Sequence, residues 1–441
     1  MTARPASLNR EILRLAVPAL GALIAEPAFL IVDAVLVGHL GTVPLAGLGI
    51  ASAVLQTIVG LMIFLAYSTT PAVARKFGSG DHKDAVSVGI DGMWLALGLG
   101  AVLAVAGAVS SPWVVSLFGA SAEVAEQADT YLVISMWGLP AMLIVFAATG
   151  LLRGMQNTVT PLWIAGAGFG ANALLNFLFI YGFGWGIAGS AVGTVAAQWA
   201  MVAAYVVVIG RLARKHDASV RPQRDGVRGS ARSGGWLFLR TVSLRAALLI
   251  TVGVATGIGT EELAGWQVVF TIFSAAAFAL DALAIAAQAL IGKGLGAGDN
   301  AGVRQVLTRT VAWGAWFGVI VGIIIGALSG VIGLAFTGSP VLASLIQPAL
   351  IVLAIAQPIA GIVFVLDGVL MGAGDVRYLA IAGGLNLLPF LPALWIVAAT
   401  GVDGVAGLVW LSAAFFGVYL LARFATLGWR VKTGRWLGET V

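Results

Sequence analysis

Five ionisable side chains are singled out within long apolar runs of this chain: Glu26, Asp33, Arg245, Asp281 and Asp367. A charge at mid-membrane costs about 2.5–3.5 kcal/mol on insertion scales, so runs that span a bilayer keep such residues only for a reason. Glu26 and Asp33 are two helical turns apart and share a helix face. That face must look onto protein or a wet cavity rather than lipid. A carboxylate desolvated at Asp33 can exchange a proton near neutral pH; the alternative is a fixed helix-to-helix hydrogen bond. Arg245 and Asp281 sit near the middles of consecutive runs, where an ion pair would lower the burial cost of both. That pair reads either as a structural tie in the C-terminal half or as a substrate or proton relay. Asp367 is near the cytoplasmic end of its run, where a solvated or structural role fits as well. Asn172 and Asn176 are spaced to share one helix face, and with Gln288 they are candidates for lining a cavity. Interhelical amide bonds average only about 0.6 kcal/mol, so a purely structural use is equally open. There is no Walker loop, no G-x-S-x-G and no zinc-ligand spacing, and His39, His82 and His216 are scattered. The expectation is therefore no enzyme, no cofactor, no metal and no self-contained ATP-driven pump.

The elements that must position these residues are membrane spans. The chain is 60% hydrophobic and 10% charged, against about 25% charged in soluble domains. A span needs roughly 20 mostly apolar residues. Such runs cover approximately 12–39, 44–76, 88–118, 127–152, 160–182 and 187–211, then 236–258, 263–293, 305–337, 341–371, 377–399 and 404–428. Cysteine is absent, so no disulfide framework exists. The basic N-terminal stretch runs into a first span too long for a signal-peptide core, and no cleavage is expected.

The two sets of six repeat each other at an offset of 218. Leu45-Ala46-Gly47 returns as Leu263-Ala264-Gly265, and Gly78, Gly80 and Asp81 return as Gly296, Gly298 and Asp299. Gly150, Leu152 and Gly154 return as Gly368, Leu370 and Gly372; Gly186, Ala188 and Gly189 return as Gly404, Ala406 and Gly407. The predicted fold is an all-α polytopic membrane protein with twelve transmembrane helices in two pseudo-symmetric six-helix bundles. Residues 1–211 form the first lobe, 212–235 a basic cytoplasmic linker and 236–441 the second lobe. Tandem repeats of this kind are a common plan of secondary transporters, with the binding site between the halves. One charge crossing 100 mV is worth about 2.3 kcal/mol, so an ion gradient suffices as driving force.

Charge sets the orientation. Lys and Arg fall on one side, for example Arg4, Arg10, Arg75, Lys76, Lys83, Arg153, the 212–235 segment, Lys293, Arg304, Arg377, Arg423 and Arg430. The opposite loops carry only acids, such as Glu123, Glu126, Asp129, Glu261, Glu262 and Asp403. The positive-inside rule then places both termini and the linker in the cytoplasm. The basic pI of about 9.7 reports orientation and anionic lipid, not nucleic acid.

Several stretches resemble the multidrug and toxic compound extrusion (MATE) transporters, in their DinF-like branch. Glu26-Pro27 through IVDAVLVGHLGTVPLAGLGIA resembles that branch's first span and following loop. GLLRGMQNTVTPL (150–162), LDALAIAAQALIGKGLGAGD (280–299) and LDGVLMGAGD (366–375) resemble its fourth, eighth and tenth spans. The resemblance implies a central cavity and alternating access driven by H⁺ or Na⁺. It marks Asp33 as the N-lobe protonation site and Asn172 and Asn176 as a fifth-span pair in which some members carry Asp at the second position. It places Arg245 close to a span-seven Glu of other branches, which argues against a C-lobe Na⁺ site. The expected function is proton-coupled antiport of amphipathic, cationic organic compounds, by a monomer in a bacterial plasma (inner) membrane. Na⁺-coupled efflux, a lipid-linked precursor flippase and a passive channel are the alternatives.

Overall fold

The computed structural model describes residues 5–336 and 340–437, without the side chains of Pro5, Ala6, Glu26 and Val341. The described residues are helical, with no strand among them. The first half comprises α1 (Pro5–Gly38), α2 (Thr42–Met62), α3 (Phe64–Gly78), α4 (His82–Ser116), α5 (Ala122–Met136), α6 (Leu139–Gly154), α7 (Val159–Phe177) and α8 (Gly186–Lys215). The second half comprises α9 (Arg224–Ile258), α10 (Thr260–Gly296), α11 (Asn300–Phe336), α12 (Pro340–Gly372), α13 (Val376–Leu385), α14 (Leu387–Thr400), α15 (Gly404–Ser412) and α16 (Leu420–Lys432). One π-helical turn, Leu178–Gly182, follows α7, and another, Ala413–Tyr419, joins α15 to α16.

Helix boundaries keep the offset of the repeat. Thr42 corresponds to Thr260, His82 to Asn300, Gly154 to Gly372 and Gly186 to Gly404, each 218 apart. Eleven helices are long and apolar enough to cross a membrane among the described residues, and twelve spans result when the bent pair α5–α6 counts as one. The 48° bend in that pair has a local cause. Pro140 lacks an N–H and its ring crowds the carbonyl four residues back, while Gly138 has no Cβ where Gln198 Oε1 would lie 2.0 Å from one. The equivalent Pro358 sits inside an unbroken α12, where Ala356 replaces the glycine.

Two compact units emerge, Arg14–Gly234 (the N-lobe) and Gly235 onward together with the stretch up to Leu13 (the C-lobe). Both use the same glycine seam. In α6, a Cβ on Gly150 would meet the Ala66 carbonyl at 2.8 Å and one on Gly154 the Thr70 carbonyl at 2.7 Å. In α12, Gly368 meets the Ala284 carbonyl at 2.5 Å and Gly372 the Gln288 carbonyl at 2.6 Å in the same way. Small residues four apart let helices approach closely where lipid removes any hydrophobic drive to associate, which accounts for the duplicated glycines.

Of the 212–235 segment, residues up to Lys215 continue α8 and those from Arg224 begin α9. One face of α4 holds the short connection between them. Ser87 Oγ accepts the Ser219 N–H (3.3 Å), buried Asp91 accepts the Gln223 N–H (2.8 Å), and Trp94 Nε1 donates to the Val220 carbonyl (3.0 Å). A carboxylate at the first turn of α9 also suits the positive end of that helix.

Candidate functional site

Four N-lobe helices converge on Asp33, which α1 buries to 4% exposure. Asp33 Oδ1 accepts from Asn176 Nδ2 of α7 at 2.9 Å and from Ser190 Oγ of α8 at 2.5 Å; Oδ2 accepts from Tyr131 OH of α5 at 3.0 Å. Asn176 Nδ2 also lies 3.1 Å from Asn172 Oδ1, and Asn172 Nδ2 donates to Thr194 Oγ1 at 3.0 Å. The network forms because α8 presents glycines to α7. A Cβ on Gly189 would stand 2.7 Å from the Phe179 carbonyl carbon, and one on Gly193 would stand 2.1 Å from Asn176 Oδ1. Three donors directed at one carboxylate repay part of its desolvation cost. Asn176 Oδ1 is buried with no hydrogen-bond partner.

Tyr131, Asn172 and Thr194 separate Asp33 from a cavity of about 100 Å³, whose other walls include Leu55, Gln56, Phe169 and Gln198. Pockets for drug-sized ligands are roughly 300–1,000 Å³, so this cavity must widen to admit one. Pro18 and Pro27 lie within α1; each frees a backbone carbonyl and gives the Asp33 helix points at which its bend can change.

Of the residues singled out from the sequence, Asp33, Asn172 and Asn176 come together in one network. The side chain of Glu26 lies outside the described residues. Gln288 is buried in the C-lobe at the α10–α12 seam and takes no part in the Asp33 network. The C-lobe charges are arranged differently from the expected Arg245–Asp281 pair. Arg245 is exposed and makes no ion pair with Asp281 among the described residues. The guanidiniums that reach Asp367 are Arg240, through Nε at 3.2 Å and through Nη2, and Arg423, through Nη2 at 2.5 Å. Asp367 is 5% exposed, so its distance from the span end does not leave it solvated. Arg423 also stands 6.0 Å from the Phe364 ring centroid.

Tyr131, Ser190 and Thr194 belong to the site without having been singled out. A spacing of four on one span was the available signal for Ser190 and Thr194; Tyr131 offered only a hydroxyl in an apolar run. Arg423 carried a positive-inside signal that hid its burial, and Asp91 sits within a span predicted to be free of charge.

The model of the MatE family matches residues 18–178 and 239–395, one block in each repeat and most of the chain. This chain belongs to the MatE family. Its relatives include the Arabidopsis thaliana protein DETOXIFICATION 45, chloroplastic, which is 28% identical with 97% of this chain and 80% of that protein covered. The multidrug resistance protein NorM of Burkholderia vietnamiensis is 28% identical with 97% and 95% covered. Among solved structures, the Vibrio cholerae MATE transporter VcmN in its bent form superposes with a TM-score of 0.85 at 20% identity, covering 98% of this chain and 99% of that one. MatE proteins are membrane transporters and not enzymes. The chain is accordingly a multi-pass transporter of small molecules, built on the two-lobe MATE fold.

Proposed function

We propose that this MatE protein, in the DinF-like branch, is a proton-coupled antiporter that exports amphipathic organic cations, with Asp33 as the coupling carboxylate. The observation that carries this reading is a buried carboxylate held by three donors directly behind a cavity wall. The three hydrogen bonds that reach Asp33 all come from donors, which satisfies a charged carboxylate without a metal ion. A proton arriving on Asp33 turns it into a donor that needs an acceptor, and Asn176 Oδ1 is buried beside it without a partner. Rotation of that amide then accommodates the protonated state, and the charge-assisted bonds from Asn176, Ser190 and Tyr131 that hold α1 are weakened. Support for Asn172 as a cavity residue comes from its place in the wall. A structural neighbour solved in a bent form supports a fold that bends between states.

In the transport cycle, charged Asp33 keeps α1 seated and the substrate-accepting state favoured. Protonation from outside releases α1, and the cavity changes shape and loses its substrate. Each ligand shifts the equilibrium only by its differential affinity for the two states. The positive-inside pattern supports cytoplasmic termini; on this reading the protein works as a monomer in a bacterial inner membrane. The test uses protein reconstituted in liposomes with a fluorescent cationic dye. Dye movement driven by a pH gradient, indifferent to Na⁺ and lost in Asp33→Asn, is the expected result. Movement that follows a Na⁺ gradient, or full activity in the variant, contradicts it.

A further inference from the structure

A second cavity lies in the C-lobe, at the end of the spans whose loops carry no Lys or Arg. It is a groove of about 740 Å³ between the last turns of α9 and the α14–α15 connection. Gly253, Gly257, Gly401 and Asp403 are among the residues that line it. The repeat shows how it is made. At the 218 offset, Gly253 replaces Val35, Gly257 replaces His39, Gly401 replaces Phe183 and Asp403 replaces Trp185. In the N-lobe those positions carry an aromatic stack, with Phe183 and Trp185 5.4 Å apart and both within 5.7 Å of Phe179. The C-lobe has removed a β-branched side chain and two large rings and put a carboxylate in their place. Each of the three glycines has open space where a Cβ would stand, so none is required by close packing.

The volume falls within the roughly 300–1,000 Å³ of ligand pockets, and the chemistry is an apolar trough with one anionic end. Asp403 is exposed and makes no side-chain capping bond to α15, and the neighbouring Gly404 N–H donates to buried Glu262 at 2.5 Å. The Asp403 carboxylate thus stays open to the groove, beside loops that offer no basic residue. We infer that this groove is a binding site for an amphipathic organic cation, its apolar body lying over Gly253 and Gly257 and its positive charge against Asp403. A phospholipid fits less well, since its phosphate would meet carboxylates and no cationic donor. The site shares the substrate class of the proposed antiport but does not depend on Asp33.

The experiment measures saturable binding of radiolabelled tetraphenylphosphonium to the full chain in nanodiscs. Gly253→Val and Gly257→Leu, which fill open space on a helix, should remove one component of binding while leaving thermal unfolding unchanged. Asp403→Asn should weaken that component about fivefold, the size of one partly exposed charge pair. Asp33→Asn should leave it intact, which separates failure of this site from failure of the coupling assignment. Unchanged binding in Gly253→Val and Asp403→Asn overturns the proposal. So does native mass spectrometry showing a phospholipid that is lost in Gly253→Val and that tetraphenylphosphonium does not displace from the native chain.

Discussion

The two lobes share one backbone plan and fill it oppositely. The N-lobe places Asp33, Tyr131, Asn172, Asn176, Ser190 and Thr194 where the C-lobe has Thr251, Ala349, Phe390, Leu394, Leu408 and Ser412 at the 218 offset. Around the N-lobe cavity, Ser52, Leu55, Ala197, Gln198 and Met201 become Phe270, Phe273, Phe415, Phe416 and Tyr419. Those rings pack on Trp266 and each other, with Phe273 and Phe416 5.1 Å apart and Phe390 and Tyr419 4.9 Å apart. One lobe keeps a hollow beside a polar network; the other closes it with aromatic packing. The charges follow a complementary rule. The N-lobe joins α6 to α8 by a neutral Thr149–Tyr205 hydrogen bond of 2.8 Å. The C-lobe puts Asp367 and Arg423 at those positions and adds Arg240 where the N-lobe has Ala22. Duplication conserved what helix packing needs and released the interior to diverge, so that one carboxylate is left to donors alone and the other is clamped by two guanidiniums.

The sharpest way to break this contrast is to remove the clamp. Asp367→Leu removes the carboxylate that two guanidiniums share and should lower stability by about 3–5 kcal/mol, read as a fall in the unfolding temperature in detergent. Installing the N-lobe set, Asp367→Thr with Arg423→Tyr and Arg240→Ala, should restore much of it, because replacing a buried ionic cluster by a neutral one of similar shape is close to neutral. Failure of the triple variant to recover would mean that the C-lobe charges serve more than packing.

The contrast was partly legible in the sequence. The repeat, the spans and the offset follow from glycines and hydropathy, because glycine seams and apolar length are local requirements. Asp33 with Asn172 and Asn176 was legible because rare polar residues at helical spacing stand out in an apolar run. The partner of Asp367 was not. Arg245 looked central in its run, yet Arg240 is the residue that turns inward, and rotation about a helix axis is set by packing rather than by depth. Arg423 was read as an interface charge for the same reason. The α5–α6 bend needed both Pro140 and the missing Cβ of Gly138, whereas Pro358 alone leaves α12 unbroken.

Closing the N-lobe hollow in the C-lobe manner sharpens the comparison from the other side. Ser52→Phe, the residue found at Phe270, should abolish dye export while retaining the fold, with an unfolding free energy changed by about 1–3 kcal/mol for an overpacked site. Retained export would show that substrate does not use that cavity. At the small end, Arg245→Gln should change stability by no more than about 0.5 kcal/mol, as expected for an exposed side chain without a buried partner. A large loss there would revive a structural role for Arg245.

The most direct test of the coupling claim is proton release. Tetraphenylphosphonium added to the solubilised protein in weakly buffered solution near neutral pH should displace a proton into the medium, detected by a pH-sensitive dye. The release should vanish in Asp33→Asn and persist in the Gly253→Val chain. Release that survives in Asp33→Asn would place the coupling proton elsewhere and contradict the account.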